Sequence, residues 1–354
     1  MKGKKAVLVI SSVAGLLVFV LLWKLFYSPT PDRAFYYWRT VFKLGADESA
    51  LLREAGIQKL YIRFFDIGLD EKGEPTALGE IRFSTPADSI FLLLDDRKGI
   101  IPVVFITNET LSESEESEIP LLAQRILVKV NSIAAKNNIE YTEFQVDCDW
   151  TVSTREKYFT LLKEIKGNMK KSQVLSCTIR LHQAKYPELT GVPPVDRGAL
   201  MFYNMGSIKD IGPANSVYNS ADAKKYTAYL KKYPLPLDAG LPVFSWGIHY
   251  SKGKVKGLIP DYCGDSANVC TKLKLTKDGF YTCTEAGFIK GFYFYTQDLL
   301  RVEECPPDSV MDAARLLRKS LRNEKRTVIL FDLKPANVRH YGKENIRDTY
   351  SVFD

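Results

Sequence analysis

The sequence has 354 residues, of which 45% are hydrophobic and 26% are charged, and its formal net charge is +7. This composition suits a folded protein with a sizeable core and excludes a largely disordered chain. The positive charge forms no basic stripe with interleaved aromatic residues, so we expect no nucleic-acid partner.

The N-terminal segment has the features of an uncleaved membrane anchor. Lysines precede an apolar run from Ala6 to Phe26. As a helix, this run would span roughly 30 Å, the thickness of the hydrocarbon core of a bilayer. The residues after it are too bulky for signal-peptide cleavage. We therefore predict a single transmembrane helix within residues 1–28 and a linker over 29–34. The basic end is expected in the cytoplasm and the rest of the chain on the periplasmic side of the inner membrane.

Strand-like and helix-like segments alternate along the remainder of the chain. The strand-like runs are 35–39, 59–65, 101–106, 144–151, 174–180, 199–204, 241–246 and 291–295. The helix-like segments are 47–55, 119–135, 154–165, 221–230 and 309–321. Eight such units predict an α/β fold, a (β/α)8 TIM barrel over residues 35–326. We expect a β-rich insertion over 248–290, after the seventh strand. A C-terminal extension over 327–354 would open with a further strand-like run.

The cysteines bear on disulfides and on metal binding. An exported protein permits disulfides, and four cysteines late in the chain are well placed for them, with a pairing that the sequence leaves open: Cys263, Cys270, Cys283 and Cys305. The sequence contains no Cys-x-x-Cys pair, and its three histidines are scattered. We therefore predict no metal site and no cofactor.

The fourth strand-like run carries two acidic residues on one face. Gln145, Asp147 and Asp149 point to the same side because strand side chains alternate with a period of two. The residues between them are apolar and suit burial against helices. Two like charges so close together perturb each other's protonation, which is costly in a core and useful at an active site.

This run resembles the signature of glycoside hydrolase family 18, the chitinase-like barrels, which reads Asp-Gly-x-Asp-x-Asp-Trp-Glu. The run Met201–Asn204 is similar to the sixth-strand Met-x-Tyr-Asp motif of that family. An uncharacterised bacterial family of similar barrels, with Gln-x-Asp-x-Asp on this strand, is an alternative relative. The resemblance implies a glycan as partner, with Asp147 and Asp149 stabilising the N-acetyl group of the substrate and Tyr203 and Asn204 holding it.

The resemblance fails at Thr151, where the family has its catalytic glutamate. A threonine hydroxyl cannot protonate a leaving group near neutral pH, a step that contributes roughly 10²–10⁴-fold. Two main hypotheses stay open: a hydrolase whose acid comes from another strand, or an inactive barrel that binds glycan or serves as a scaffold. Glu109 is the favoured replacement acid, with Asp298 and Asp66 as alternatives. A chance match in an unrelated barrel is the third possibility.

Functional residues of such barrels gather at the carboxyl ends of the strands. A sugar site combines polar groups around the ring with an aromatic floor. Applied to the predicted strands, this rule adds five candidate substrate contacts: Gln145, Arg63, Trp246, Tyr295 and Asp298.

Overall fold

The computed structural model describes residues 30–94, 98–209, 211, 215–322 and 325–354. The strands in these ranges are β1 (Asp32–Tyr37), β2 (Val41–Phe42), β3 (Lys59–Leu69), β4 (Pro75–Leu78), β5 (Arg82–Phe83), β6 (Ile100–Ile106), β7 (Glu143–Cys148), β8 (Val174–Arg180), β9 (Arg197–Met201), β10 (Leu237–Pro242), β11 (Ser245–Ser251), β12 (Lys254–Pro260), β13 (Leu273–Leu275), β14 (Tyr281–Cys283), β15 (Gly287–Ile289), β16 (Phe292–Phe294), β17 (Leu299–Glu304) and β18 (Thr327–Phe331). The helices are α1 (Ala46–Glu54), α2 (Ala87–Leu94), α3 (Asn108–Glu113), α4 (Ile119–Lys136), α5 (Arg155–Asn168), α6 (Leu181–Lys185), α7 (Pro187–Thr190), α8 (Ser220–Leu230), α9 (Gly264–Asn268), α10 (Pro307–Ser320), α11 (Pro335–Tyr341) and α12 (Lys343–Ser351).

The predicted membrane anchor, residues 1–28, lies outside the described ranges. Among the residues that are described, no helix combines the length and the apolar character needed to cross a bilayer.

Eight parallel strands close into a barrel. Their order is β1, β3, β6, β7, β8, β9, β10 and β18, and the barrel closes where β18 pairs with β1. All five predicted helices are present, as α1, α4, α5, α8 and α10. The prediction of a (β/α)8 barrel is therefore confirmed.

Side chains of the barrel strands alternate between two cores, as the strand period requires. On β18, Val328 and Leu330 pack outward against the helices, whereas Ile329 points into the barrel. Val146 and Trp150 likewise lie in the outer core. The fourth barrel strand therefore has the orientation that the alternation of its sequence predicts.

The eighth strand is Thr327–Phe331, so the prediction that placed it at residues 291–295 is wrong. Residues Phe292–Phe294 instead form a two-stranded hairpin with β15. Tyr293 and Tyr295, two residues apart, are exposed there, as expected for a surface hairpin. Thr327–Leu330 is buried without alternation, which is typical of a parallel strand covered on both faces. The predicted C-terminal extension thus begins with a barrel strand.

An antiparallel insertion lies between the seventh barrel strand and α10. Five strands, in the order β12-β11-β17-β14-β13, form its sheet. The insertion is therefore longer than predicted, because its strands run from Ser245 to Glu304. The four late cysteines are free thiols rather than disulfides. Packing separates two of them, since Cys283 belongs to the core of the insertion and Cys305 to the outer core of the barrel.

A glycine allows two barrel strands to approach closely beneath the mouth. A Cβ on Gly240 would lie 2.6 Å from the backbone oxygen of Leu200 and 3.6 Å from the ring of Tyr203. Because a backbone oxygen cannot move aside as a side chain can, any larger residue would displace strand β9 or β10. Gly240 therefore helps to place Tyr203.

Candidate functional site

A pocket of about 290 Å³ opens at the carboxyl ends of the barrel strands. Its walls come from the ends of six barrel strands and from the insertion. The lining residues are Trp38, Phe105, Asp147, Met201, Tyr203, Asn204, Phe244, Ser245, Trp246, Pro260, Asp261, Phe331, Asp332 and Lys334. A second, wider groove of about 700 Å³ lies near the amino ends of β7 and β8 and contains none of the predicted site residues. The pocket at the mouth is therefore the candidate site.

Asp147 forms the acidic floor of the pocket. Its side chain is buried, and its Oδ1 accepts a hydrogen bond of 2.5 Å from the hydroxyl of Thr178 on the neighbouring strand. Burial raises its pKa from 3.8 to about 7, against the lowering effect of the Thr178 hydrogen bond, and the nearby charge of Asp149 raises it further. A carboxyl with this pKa carries a proton in a large fraction of molecules at neutral pH.

Asp332, directly after the eighth barrel strand, is a second buried acid in the pocket. Burial raises its pKa to about 6, although the ammonium of Lys334 lowers it. Lys334 Nζ lies 3.3 Å from Oδ2 of Asp332 and 3.0 Å from Oδ1 of Asp261. The amide of Asn337 donates to Oδ1 of Asp332 at 2.9 Å. Asp332 is therefore fixed in place and is mostly ionised at neutral pH.

Aromatic rings surround these acids. The ring of Tyr203 lies 5.8 Å from that of Phe244 and 5.7 Å from that of Phe331. Burial keeps the pKa of Tyr203 well above 10, so its hydroxyl stays protonated. The indole of Trp246 donates to the buried carboxylate of Glu303 at 2.8 Å, and Trp38 packs 5.7 Å from Phe331. The pocket thus offers ring faces of the type on which sugars stack.

The side-chain oxygen of Asn204 is available to bind a ligand. Its backbone has φ of 55°, a left-handed conformation that asparagine tolerates better than most residues. Its side-chain Oδ1 is buried and has no hydrogen-bond partner among the described residues. Buried acceptors are almost always paired in folded proteins. A hydroxyl or amide of a bound molecule would satisfy this one.

Two of the predicted acids do not line the pocket. Asp149 follows the end of β7, its side chain is 45% exposed, and it forms an ion pair of 2.8 Å with Arg180. Glu109 is exposed in the first turn of α3. Thr151 is also exposed, and its hydroxyl bonds with that of Ser153 at 2.8 Å. The favoured replacement acid is therefore not brought to the pocket.

Gln145 and Arg63 are also placed elsewhere. The amide of Gln145 is buried inside the barrel, where its oxygen accepts from the Tyr36 hydroxyl at 2.7 Å and its nitrogen donates to Ser176 at 3.3 Å. Arg63 forms an ion pair of 2.7 Å with Asp66 beside the mouth. Both residues have partners within the protein, and neither lines the pocket.

Tyr295 and Asp298 lie in the insertion, because the strand predicted to carry them is not part of the barrel. Tyr295 is 63% exposed. Asp298 is buried and accepts from the His249 imidazole at 2.8 Å and from the Tyr295 backbone at 2.9 Å. Its pKa is lowered because hydrogen bonds from Ser251 and His249 outweigh its burial. This arrangement supports the insertion rather than the pocket.

Sequence reasoning missed much of the pocket wall. Phe331, Asp332 and Lys334 follow an apolar run, Thr327–Leu330, and the rule that places function after barrel strands applies to them directly. Recognising that run as a barrel strand would have identified them. Asp261 enters from the insertion, and no local pattern in the sequence connects it to the mouth.

A group of potential metal ligands lies outside the pocket. Among the described residues, ligand atoms of Cys263, Asp265 and His340 lie within 4.8 Å of one another. The prediction of no metal site used the spacing of cysteines and histidines along the sequence. That spacing gives no information about residues that are distant in sequence and close in the fold.

No protein-family model matches the sequence, and no curated protein matches it at a significant level. Solved structures do match. The spore cortex-lytic enzyme SleL of Bacillus cereus is 12% identical at a TM-score of 0.55, with 92% of this chain and 75% of that chain covered. A chitinase from Chromobacterium violaceum is 14% identical at a TM-score of 0.54, covering 91% and 98% of the two chains. A GH18 chitinase from Cycas revoluta, in complex with (GlcNAc)3, is 10% identical at a TM-score of 0.55, covering 90% and 99%.

At these identities the likeness establishes the fold. The closed barrel of eight parallel strands is similar to the barrels of these neighbours, and it is the fold that the resemblance of the fourth strand implies. The chain thus has the TIM-barrel fold that these solved structures share.

Proposed function

We propose that the protein binds a glycan at the barrel mouth and hydrolyses it, with Asp147 as the proton donor. The observation that carries this proposal is a buried carboxyl with a pKa of about 7 on the floor of an aromatic pocket. A general acid works best when its pKa lies near the working pH. Buried carboxyls with such values are found disproportionately at active sites.

The two acids of the pocket have different environments and would take different roles. Asp147, protonated in a large fraction of molecules, donates its proton to the glycosidic oxygen as the bond from that oxygen to the anomeric carbon breaks. Water then attacks the anomeric carbon and returns a proton to the Asp147 carboxylate. Asp332, kept largely ionised by Lys334, supplies negative charge near the positive charge that develops on the sugar ring. Such a division between two carboxyls is the usual basis of glycoside hydrolysis.

The remaining polar groups suit recognition of a sugar. The Tyr203 hydroxyl can donate and the unpaired Oδ1 of Asn204 can accept a hydrogen bond. Trp38 and Trp246 offer ring faces. The Cycas revoluta neighbour is in complex with (GlcNAc)3, and this supports oligomers of N-acetylglucosamine as the first substrates to test.

The test uses the full-length protein in detergent with (GlcNAc)3 and (GlcNAc)4. Product release is followed by mass spectrometry, and binding by tryptophan fluorescence. We expect Asp147→Asn to lower the turnover rate by at least about 10²-fold while binding persists. Asp149→Asn is the informative comparison. The family resemblance gives the Asp149 carboxyl a catalytic role, whereas the pocket geometry does not, because Asp149 does not line the pocket. If Asp149→Asn lost turnover while Asp147→Asn kept it, the assignment of Asp147 as the proton donor would be refuted.

A second function, glycan binding without turnover, is favoured by a specific observation. Thr151 is exposed at the position of the family's acid, and Asp149 is held by Arg180. The same experiment separates the two functions. Saturable binding of (GlcNAc)4 by the wild-type protein, with no product over a long incubation, would select the binding protein.

We also propose that residues 1–28 anchor the protein in the inner membrane with the barrel in the periplasm. The support is the lysine-flanked apolar run in the sequence. The experiment is protease treatment of spheroplasts, in which an exposed barrel is degraded. A barrel that is protected until the membrane is lysed would place it in the cytoplasm.

A further inference from the structure

Three side chains of metal-binding type meet where the insertion contacts the barrel. The ligand atoms of Cys263, Asp265 and His340 all lie within 4.8 Å of one another. Cys263 and Asp265 stand at the start of α9 in the insertion, whereas His340 is on α11, which follows the last barrel strand. The cluster therefore joins two parts of the chain that are distant in sequence.

Glu304 provides a fourth group at the same place. Its Oε2 lies 3.3 Å from Nε2 of His340. That oxygen is buried and has no hydrogen-bond partner among the residues that the structure describes. The other oxygen, Oε1, lies near Gly264, the residue between Cys263 and Asp265, because a Cβ on Gly264 would be 3.8 Å from it. A sulfur, an imidazole nitrogen and one carboxylate thus converge, and a second carboxylate lies beside the imidazole.

We propose that these four residues, Cys263, Asp265, His340 and Glu304, form a Zn²⁺ site. Zinc takes cysteine, histidine and carboxylate ligands, most often four in a tetrahedron. Calcium and magnesium prefer ligand sets made only of oxygen, so the thiol and the imidazole select against them. Metal binding removes the proton of the thiol and draws the ligands together.

The zinc site would stabilise the wall of the pocket. Asp261, two residues before Cys263, lines the pocket and forms an ion pair with Lys334. Lys334 is the residue that precedes α11, which carries His340. An ion bound at the cluster would therefore hold together both segments that carry this ion pair. The inference does not depend on the proposed hydrolysis, since it concerns a separate set of residues.

Cobalt is the probe for this site, because Co²⁺ replaces zinc and a thiolate ligand gives it a charge-transfer absorption. The full-length protein is treated with a chelator, dialysed and titrated with Co²⁺. We expect one equivalent to bind with the thiolate band, and added Zn²⁺ to abolish it. Absence of that band in the wild-type protein would overturn the proposal.

Variants separate the proposed ligands from other side chains. Cys263→Ser should lose the thiolate band, whereas the matched control Cys270→Ser should keep it. His340→Gln and Glu304→Gln should each weaken Co²⁺ binding by at least about tenfold. Circular dichroism verifies that each variant is folded. A band that persists in folded Cys263→Ser would overturn the site, and unchanged affinity in Glu304→Gln would remove that residue from it.

Discussion

Replacing Asp147 by asparagine changes how the stability of the protein depends on pH. Asp147 is 7% exposed, and burial raises the pKa of its carboxyl from 3.8 to about 7. Asparagine has nearly the same shape, and its carbonyl oxygen can still accept the hydrogen bond from Thr178. The substitution therefore removes a titrating group and little else from the pocket floor.

The sign and size of the effect follow from linkage. The folded protein holds the proton of Asp147 more tightly than the unfolded chain does. The corresponding stability is fully present below pH 3.8 and is lost as the pH rises through about 7. The difference between these two pKa values corresponds to about 4 kcal/mol. The free energy of unfolding of the wild-type protein should therefore fall by about 4 kcal/mol more than that of Asp147→Asn between about pH 4 and about pH 8.

Denaturant unfolding at a series of pH values measures this difference. Other buried acids, such as Asp332, contribute equally to both proteins and cancel in the comparison. Asp149→Asn, which alters a half-exposed carboxyl, is the matched control. Its stability should keep most of the fall with pH, because burial is the largest cause of the raised pKa of Asp147 and the charge of Asp149 is a smaller one. Parallel stability curves for the wild type and Asp147→Asn would refute the argument that Asp147 is buried with a raised pKa.

Three further predictions concern the pocket. Thr178→Val removes the hydrogen bond that lowers the pKa of Asp147, so the alkaline limb of a pH–rate profile should move to higher pH; an unmoved limb would exclude Asp147 as the acid. Glu303→Gln removes the charged acceptor of the Trp246 indole, and glycan binding measured by fluorescence should weaken about fivefold with little change in turnover rate. Thr151→Glu should leave the turnover rate within about threefold of the wild type, because Asp147 already supplies the proton; a gain of about 10²-fold would indicate a barrel that lost its acid at that position.

The sequence predicted the barrel well because the strand and helix periods are strong over most of its length. The alternation around Asp147 placed that carboxyl inside the barrel and its neighbours in the outer core. Tyr203 and Asn204, which the resemblance implies, and Trp246, identified from a strand end, do line the pocket. These successes depend on local patterns, which the fold preserves.

The errors arose where the fold brings distant segments together. The exposed hairpin at Phe292–Phe294 has the aromatic content of a strand, and only its lack of burial distinguishes it from a barrel strand. That confusion moved Tyr295 and Asp298 to the mouth and left Asp332 unrecognised. The hydrogen bond from Thr178 to Asp147 joins neighbouring strands that are 31 residues apart, and no local spacing reveals such a contact.

Closure of the barrel has a consequence for the order in which the protein is made. Strand β1 pairs on one side with β18, and Asp32 lies opposite Thr327, about 300 residues later in the chain, so this pairing is among the slowest kinds to form. Until β18 emerges, the edges of β1 and β10 are unpaired and can associate with other chains. The last strand also delivers Phe331 and Asp332 to the pocket. Any product that stops before residue 327 therefore has both an open barrel and an incomplete pocket.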